Sequence, residues 1–270
     1  MLLQDLLASP FTLPSTPKVV ALLLSELERG QPDLRRISQL VSTDPGLAAR
    51  LLQVANSGYF KLSGRVHSVP EALAVVSLGQ VRTVAVAAAG KSSLKAVPGI
   101  NLQQYWDFSL DVARVSRSLA GVVRQNQQAA FTAGLLCFIG ELAMRLAMPQ
   151  EMAALDPQAP AFDARRARTE RRQFGFDYAQ AGAGHARQWS FPQVIVEAIA
   201  HQDAPFREDA YEPLAGVLHL AAWRARCQCA GLNQREMAVT FPGPVGEVLS
   251  LDIDMVLQQD PIDWSGQHRL

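Results

Sequence analysis

The chain has 270 residues, 49% of them apolar, which is enough to bury a sizeable core in one large domain or two modest ones. Lys plus Arg and Asp plus Glu balance at 25 each, so no global field draws the molecule to nucleic acid or to an anionic membrane. Three cysteines, Cys137, Cys227 and Cys229, form no disulfide framework and suit a reducing, cytoplasmic setting.

Helical periodicity dominates, and strand-type alternation is confined to a few residues near Ala238 to Phe241, so the sequence predicts an all-α protein. The apolar start, Met1 to Leu7, carries Asp5 and lacks a basic leader; it reads as a short docking helix, not a signal peptide. Pro17 opens a helix through about Glu28, and Gly30 stops it. Asp33 caps the next helix. Asp44 followed by Pro45 starts another, because the carboxylate accepts from orphan amides while proline loses nothing at the first helical position. Asn56-Ser57-Gly58 closes that helix, since the asparagine amide can pair with freed carbonyls and the residue tolerates left-handed geometry.

Ser68-Val69-Pro70-Glu71 begins a further helix, which Gly79 separates from Val81 to Ala89. Val81 to Gly90 is read as the longest helix-compatible apolar stretch, and it is too short for a bilayer, which takes about 20 residues. Pro98-Gly99 marks a boundary. Gln103 to Arg124 and Gln128 to Leu146 follow as two longer helices, then an arginine-rich helix, then helices near Tyr178 to Gln188, Pro192 to His201 and Pro213 to Ala230. A looser segment, Thr240 to Gly246, precedes a short closing helix near Asp252 to Gln259. The expected organisation is an N-terminal helical subdomain at 1–98, a helical bundle at 99–230 and an extension at 231–270.

The run Ala133-Gly134-Leu135-Leu136-Cys137-Phe138-Ile139-Gly140 resembles the GLLHDIG signature of the HD phosphohydrolase superfamily, and specifically its HDOD branch. The resemblance extends along the chain in order. Leu13 to Pro17 is similar to the family's opening LPxLP-type segment, and Asp44-Pro45-Gly46-Leu47 with Asn56-Ser57 to its DPxL…NS helix. Ser68-Val69 with Ala72-Leu73 and Leu78-Gly79, then Phe174-Gly175, His185, Trp189, Pro192 and Ala198 to His201, continue it to about residue 225. It implies a multi-helix fold in which a helical half packs on an HD-related bundle, forming one HDOD unit.

In metal-dependent members of the superfamily a His, a His-Asp pair and a distal Asp hold the cation. The resemblance places these on Phe108, on Cys137 and Phe138, and on Ala222. A protonated thiol and a benzyl ring cannot clamp a divalent cation and activate its water. His185 and His201 resemble auxiliary ligands, but two imidazoles fall short of the roughly three protein ligands a catalytic metal takes. The expectation is a vestigial pocket of Phe108, Cys137, Phe138, His185, His201 and Ala222, with no metal, cofactor or catalytic residue and with the two histidines hydrogen-bonded across the cleft. A rebuilt phosphohydrolase or phosphodiesterase site would recruit Asp107, Asp111 and Asp203. A non-hydrolysing nucleotide sensor is the third possibility.

Other chemistry is weaker. Leu136, Phe138 and Ile139 predict an apolar surrounding that keeps Cys137 inert. Cys227-Gln228-Cys229 with His219 lacks the spacing of a zinc finger, and neither a Walker loop nor a dinucleotide fingerprint is present. Trp189 and Phe191 read as a packed hinge before Pro192. Arg165, Arg166, Arg168, Arg171 and Arg172 form a local basic face, read as a solvated helix or as an interaction patch for an acidic partner. Without interleaved aromatics that face is a poor nucleic-acid platform. The sequence as a whole reads as a non-catalytic regulatory module. By resemblance, its partners are signalling proteins of two-component or cyclic-dinucleotide pathways, and no membrane is involved.

Overall fold

Polar side chains set most of the helix starts. In the computed structural model, which describes residues 1–10, 12–62, 64–92, 97–206 and 212–258, all regular structure is helical. Helix α1 spans Leu3–Ala8 and α2 spans Pro17–Leu27. Asp33 accepts from the Arg35 N–H at 2.8 Å to open α3 (Leu34–Ser42), and Asp44 accepts from Leu47 N–H at 2.8 Å to open α4 (Pro45–Ala55). Ser68 does the same for α5 (Val69–Val75).

Asn56 closes α4 through its amide, as expected, but without left-handed geometry. Its φ is −87°, outside the left-handed region. Its buried amide donates to Leu52 O (3.1 Å) and Val66 O (3.0 Å), while its carbonyl oxygen accepts from the N–H groups of Arg65 and Val66. The side chain thus ties the end of α4 to the strap before α5. Nor does Gly79 break the next helix: α6 runs Leu78–Ser92, and the interruption falls at Val76-Ser77, where Ser77 and Gln80 cap one another. Helix α2 packs on α3 and α6, and α4 on α5 and α6, forming the N-terminal half.

The second half comprises α7 (Leu102–Val122), α8 (Gln127–Leu136), α9 (Ile139–Ala147), α10 (Pro149–Leu155), α11 (Arg166–Phe174), α12 (Tyr178–Gln188), α13 (Gln193–His201) and α14 (Pro213–Cys229). The single helix expected over 128–146 is broken at Cys137-Phe138: Glu141 N–H bonds Phe138 O, so the regular ladder lapses for one turn. Among the described residues the stretch 127–147, not Val81 to Gly90, is the longer apolar run; it has the length and hydropathy to cross a membrane, but 89% of its apolar window is buried inside the fold.

Helix α7 lies along α8 and α14, and α12 crosses α9 and α13. At the α9–α12 crossing Gly140 is indispensable, since an added Cβ would stand 1.9 Å from Tyr178 O and 2.5 Å from Gly182 N. The strand-like residues near Ala238 and the looser segment after Thr240 are both helical, as α15 (Gln234–Thr240) and α16 (Gly243–Leu249). A reciprocal Asn233–Glu236 capping box nucleates α15 and overrides the local alternation. Helix α17 (Ile253–Gln258) ends the described chain; the predicted Gln259 end lies outside the described residues.

The division at residue 98 separates most contacts, but α1 crosses it. It lies on α9 and α12 with Leu6 buried and Leu7 against Gly184, and Gln188 Nε2 donates to Leu7 O at 3.0 Å. The extension after 230 is equally joined, since α16 and α17 pack on α14 and Trp223 Nε1 reaches Thr240 Oγ1 at 3.2 Å. One continuous apolar core runs through both halves.

Candidate functional site

The α8–α9 break turns Phe138 into the second half, where it meets rings from three other segments. Phe108 of α7 meets it edge-on at 5.1 Å between centroids, Tyr178 at the start of α12 stacks on it at 5.0 Å, and Phe162 from the α10–α11 connection lies 6.0 Å away. Phe108 also stacks on Phe162 at 4.4 Å. Arg226 of α14 closes the group: its guanidinium carbon lies 5.6 Å from the Phe138 centroid, Nε donates to Phe162 O at 3.0 Å, and Nη2 donates to the Tyr178 hydroxyl at 3.3 Å. Ala222, buried one turn before Arg226, takes no polar role.

Cys137 is fully buried and its Sγ–H donates to Gly134 O at 2.9 Å. Burial pushes the thiol far above its ordinary range, in line with the apolar surrounding expected from its neighbours. Its carbonyl, freed by the helix break, accepts from Gln202 Nε2 at 2.8 Å. Gln202 O in turn meets His219 Nδ1 at 2.8 Å, and burial holds His219 below the usual histidine range. Beside it Arg171 donates to Asp203 at 2.6 Å and also pairs with Asp177, whose carboxyl burial pushes up.

The two histidines do not face one another across a cleft. His185, buried on α12, stacks on Trp189 at 5.7 Å and bonds Gln188; burial lowers its basicity. His201 ends α13 with its Nε2 3.8 Å from Glu197 Oε2, so each histidine answers to its own helix or its end. Asp107 accepts from Gln103, and Asp203 is taken by Arg171. Among the described residues no three His, Cys, Asp or Glu side chains converge on a cation-sized space. Trp189 does pack with Phe191 as a hinge, at 5.7 Å.

The five arginines do not form one face. Arg166 points inward and is fully buried, bonded to Glu141, Glu170 and Asp156. Arg171 is half-buried on Asp177 and Asp203. Arg165, Arg168 and Arg172 remain exposed, Arg165 held by Asp163. The signal for the inward turn was present: Glu141–Arg145 and Arg166–Glu170 are opposite charges four residues apart, the first pair inside an apolar run. Phe162, Tyr178, Gln202 and Arg226, which complete the aromatic and polar group, carried no comparable local signal.

A helical half joined to a bundle whose α8–α9 turn carries the signature run defines the HD-related all-helical class. The chain belongs to the HDOD domain family, whose model matches residues 13–205. Its fold is similar to that of a fragment of the MmoQ response regulator of Methylococcus capsulatus, at 26% identity and a TM-score of 0.68, covering 91% of this chain and 94% of that one. A Shewanella amazonensis protein provisionally classed as a phosphohydrolase matches at 26% identity and a TM-score of 0.57, with 95% and 92% covered. An uncharacterized protein of Treponema pallidum is 22% identical over 212 residues; the match takes in 77% of this chain but spans only 41% of that relative.

Proposed function

We propose that this chain is a non-catalytic HDOD signalling module, working by contact with other regulatory proteins and not by metal-dependent hydrolysis. One observation carries the reading. At the positions where the resemblance puts metal ligands, Phe108 and Phe138 pack with Phe162 and Tyr178 beneath the Arg226 guanidinium. Neutral rings offer no lone pair to a hard cation, and a fixed positive charge over the Phe138 ring opposes a divalent ion. The kinship with a response regulator supports the signalling role. Exposed Arg168 and Arg172 offer forked donors to an acidic partner surface. The buried thiols of Cys137 and Cys227 fit a cytoplasmic setting.

Metal analysis of the purified chain, combined with hydrolysis assays on cyclic dinucleotides, tests the proposal. The expected result is neither stoichiometric manganese, iron or nickel nor turnover. Stoichiometric metal with turnover that disappears in His201→Ala would establish the rebuilt phosphohydrolase instead, in keeping with the Shewanella neighbour. Calorimetric binding of a nucleotide without turnover would establish a sensor.

A further inference from the structure

Side chains of α9 and α11 meet over a set of buried and partly buried charges that neither the aromatic group nor the proposed contacts use. Three carboxylates, Glu141, Glu170 and Asp156, surround two guanidiniums, Arg145 and Arg166. Asp156 is partly exposed and bonds both arginines, so the two fully buried carboxylates, Glu141 and Glu170, compete for guanidinium charge that a solvent-facing group also draws on, a costly arrangement if both are ionised. Donors are distributed unevenly. Glu141 Oε1 accepts from both Arg145 Nε and Arg166 Nη2, and Glu170 accepts from Arg166 Nε on one oxygen and from Tyr178 N–H on the other. Glu141 Oε2 is fully buried and no donor reaches it, although Glu170 lies within hydrogen-bonding reach of Glu141.

We infer that one proton lies between Glu170 and the undonated Oε2 of Glu141 at neutral pH, and that this singly protonated pair is a latch fastening α9 to α11. The latch extends to the connection between the two halves. Arg145 bonds Glu141 through Nε, Asp156 through both terminal nitrogens, and Pro98 O through Nη1 at 3.1 Å. The remaining titratable groups on the packed elements do not supply the missing donor. Asp177 and His185 of α12 face Arg171 and Trp189, and Asp5 of α1 accepts from Leu2 N–H. Tyr105 of α7 is a buried phenol, and its proximity to Glu141 adds a neutral neighbour. In agreement with the geometry, burial and the Glu141 carboxylate push the Glu170 carboxyl up to about 9.

The sign follows from proton counting. Between the ordinary carboxylate range and about 9 the folded chain holds one proton more than the unfolded chain, so stability falls as pH rises through that window. Urea unfolding of the full chain between about pH 6 and 9 tests this, with Glu141→Gln and Glu170→Gln compared against the parent; a one-proton difference lowers the folding constant about tenfold per pH unit. In Glu141→Gln the new amide would place its NH₂ at the undonated edge, facing Glu170, and so imitate the protonated pair. That variant is expected to fold and to lose this part of the pH slope. Glu170→Gln sets an NH₂ against Tyr178 N–H or Arg166 Nε and is expected to be destabilised at every pH. Infrared difference spectra, parent minus Glu141→Gln, should show one protonated carboxyl at pH 7. An unchanged slope in Glu141→Gln, its failure to fold, or absence of the protonated carboxyl band would overturn the inference.

Discussion

Phe138 contacts rings from three segments and lies under a guanidinium, so its truncation would leave a cavity walled by Phe108, Phe162 and Tyr178. Phe138→Ala should therefore cost about 3–5 kcal/mol, measurable by urea unfolding; a loss under ~1 kcal/mol would show that the cluster collapses freely. Asn56 acts by hydrogen bonding. Its removal in Asn56→Ala leaves the Arg65 and Val66 N–H groups and the Val66 carbonyl without the partner that joins the α4 end to the strap, an expected loss of about 2–4 kcal/mol. The thiols differ by environment. Cys137 is buried with its thiol pushed up, whereas Cys229 is exposed, so iodoacetamide on the native protein should label Cys229 and spare Cys137 until denaturant is added. Peptide mass spectrometry reads that order directly.

Among the elements, the α9–α12 crossing leaves little room for change, because backbone meets backbone. Gly140→Ala must push Tyr178 and Gly182 aside and should lower stability by ~2 kcal/mol or more, with α12 amides losing hydrogen-exchange protection first. Helix starts that depend on neighbours in sequence were legible: Asp33, Asp44 and Ser68 each cap the helix they were expected to cap. The break at Cys137-Phe138 was not. No proline or capping side chain in this apolar run marks it, and the partner that takes the freed carbonyl, Gln202, lies 65 residues away. The same division holds at the site. Phe108 and Phe138 were placed near one another through the family resemblance, while Phe162 and Arg226 arrive from separate segments that only the fold brings together. Arg166 shows the opposite error, a residue read as surface because its neighbours in sequence are charged, although Glu141 and Asp156 await it inside.

Across the whole molecule, buried histidines shape acid stability. His185 and His219 are both held below the ordinary histidine range by burial, so they stay neutral in the fold while the unfolded chain takes up protons below about pH 6.5. Folding should weaken by up to ~1.4 kcal/mol per pH unit for each histidine as pH falls from about 6.5 toward the folded values. Replacement of His185 by Gln should remove one of the two contributions, which proton-uptake calorimetry of unfolding would count. The two halves share one apolar core and α1 lies across the second, so thermal unfolding is expected as a single transition in both near- and far-ultraviolet circular dichroism. Two resolved transitions would mean that the boundary near residue 98 is a true domain limit.

The Cys137 carbonyl offers a last consequence. The brace from α13 to the α8–α9 turn is made by Gln202 to a main-chain oxygen, an atom every amino acid supplies at that position. Side-chain identity at 137 is therefore invisible to the brace. Exchange of the side chain at 137 would leave the joint between these helices in place, so this turn can keep its architecture while its chemistry changes.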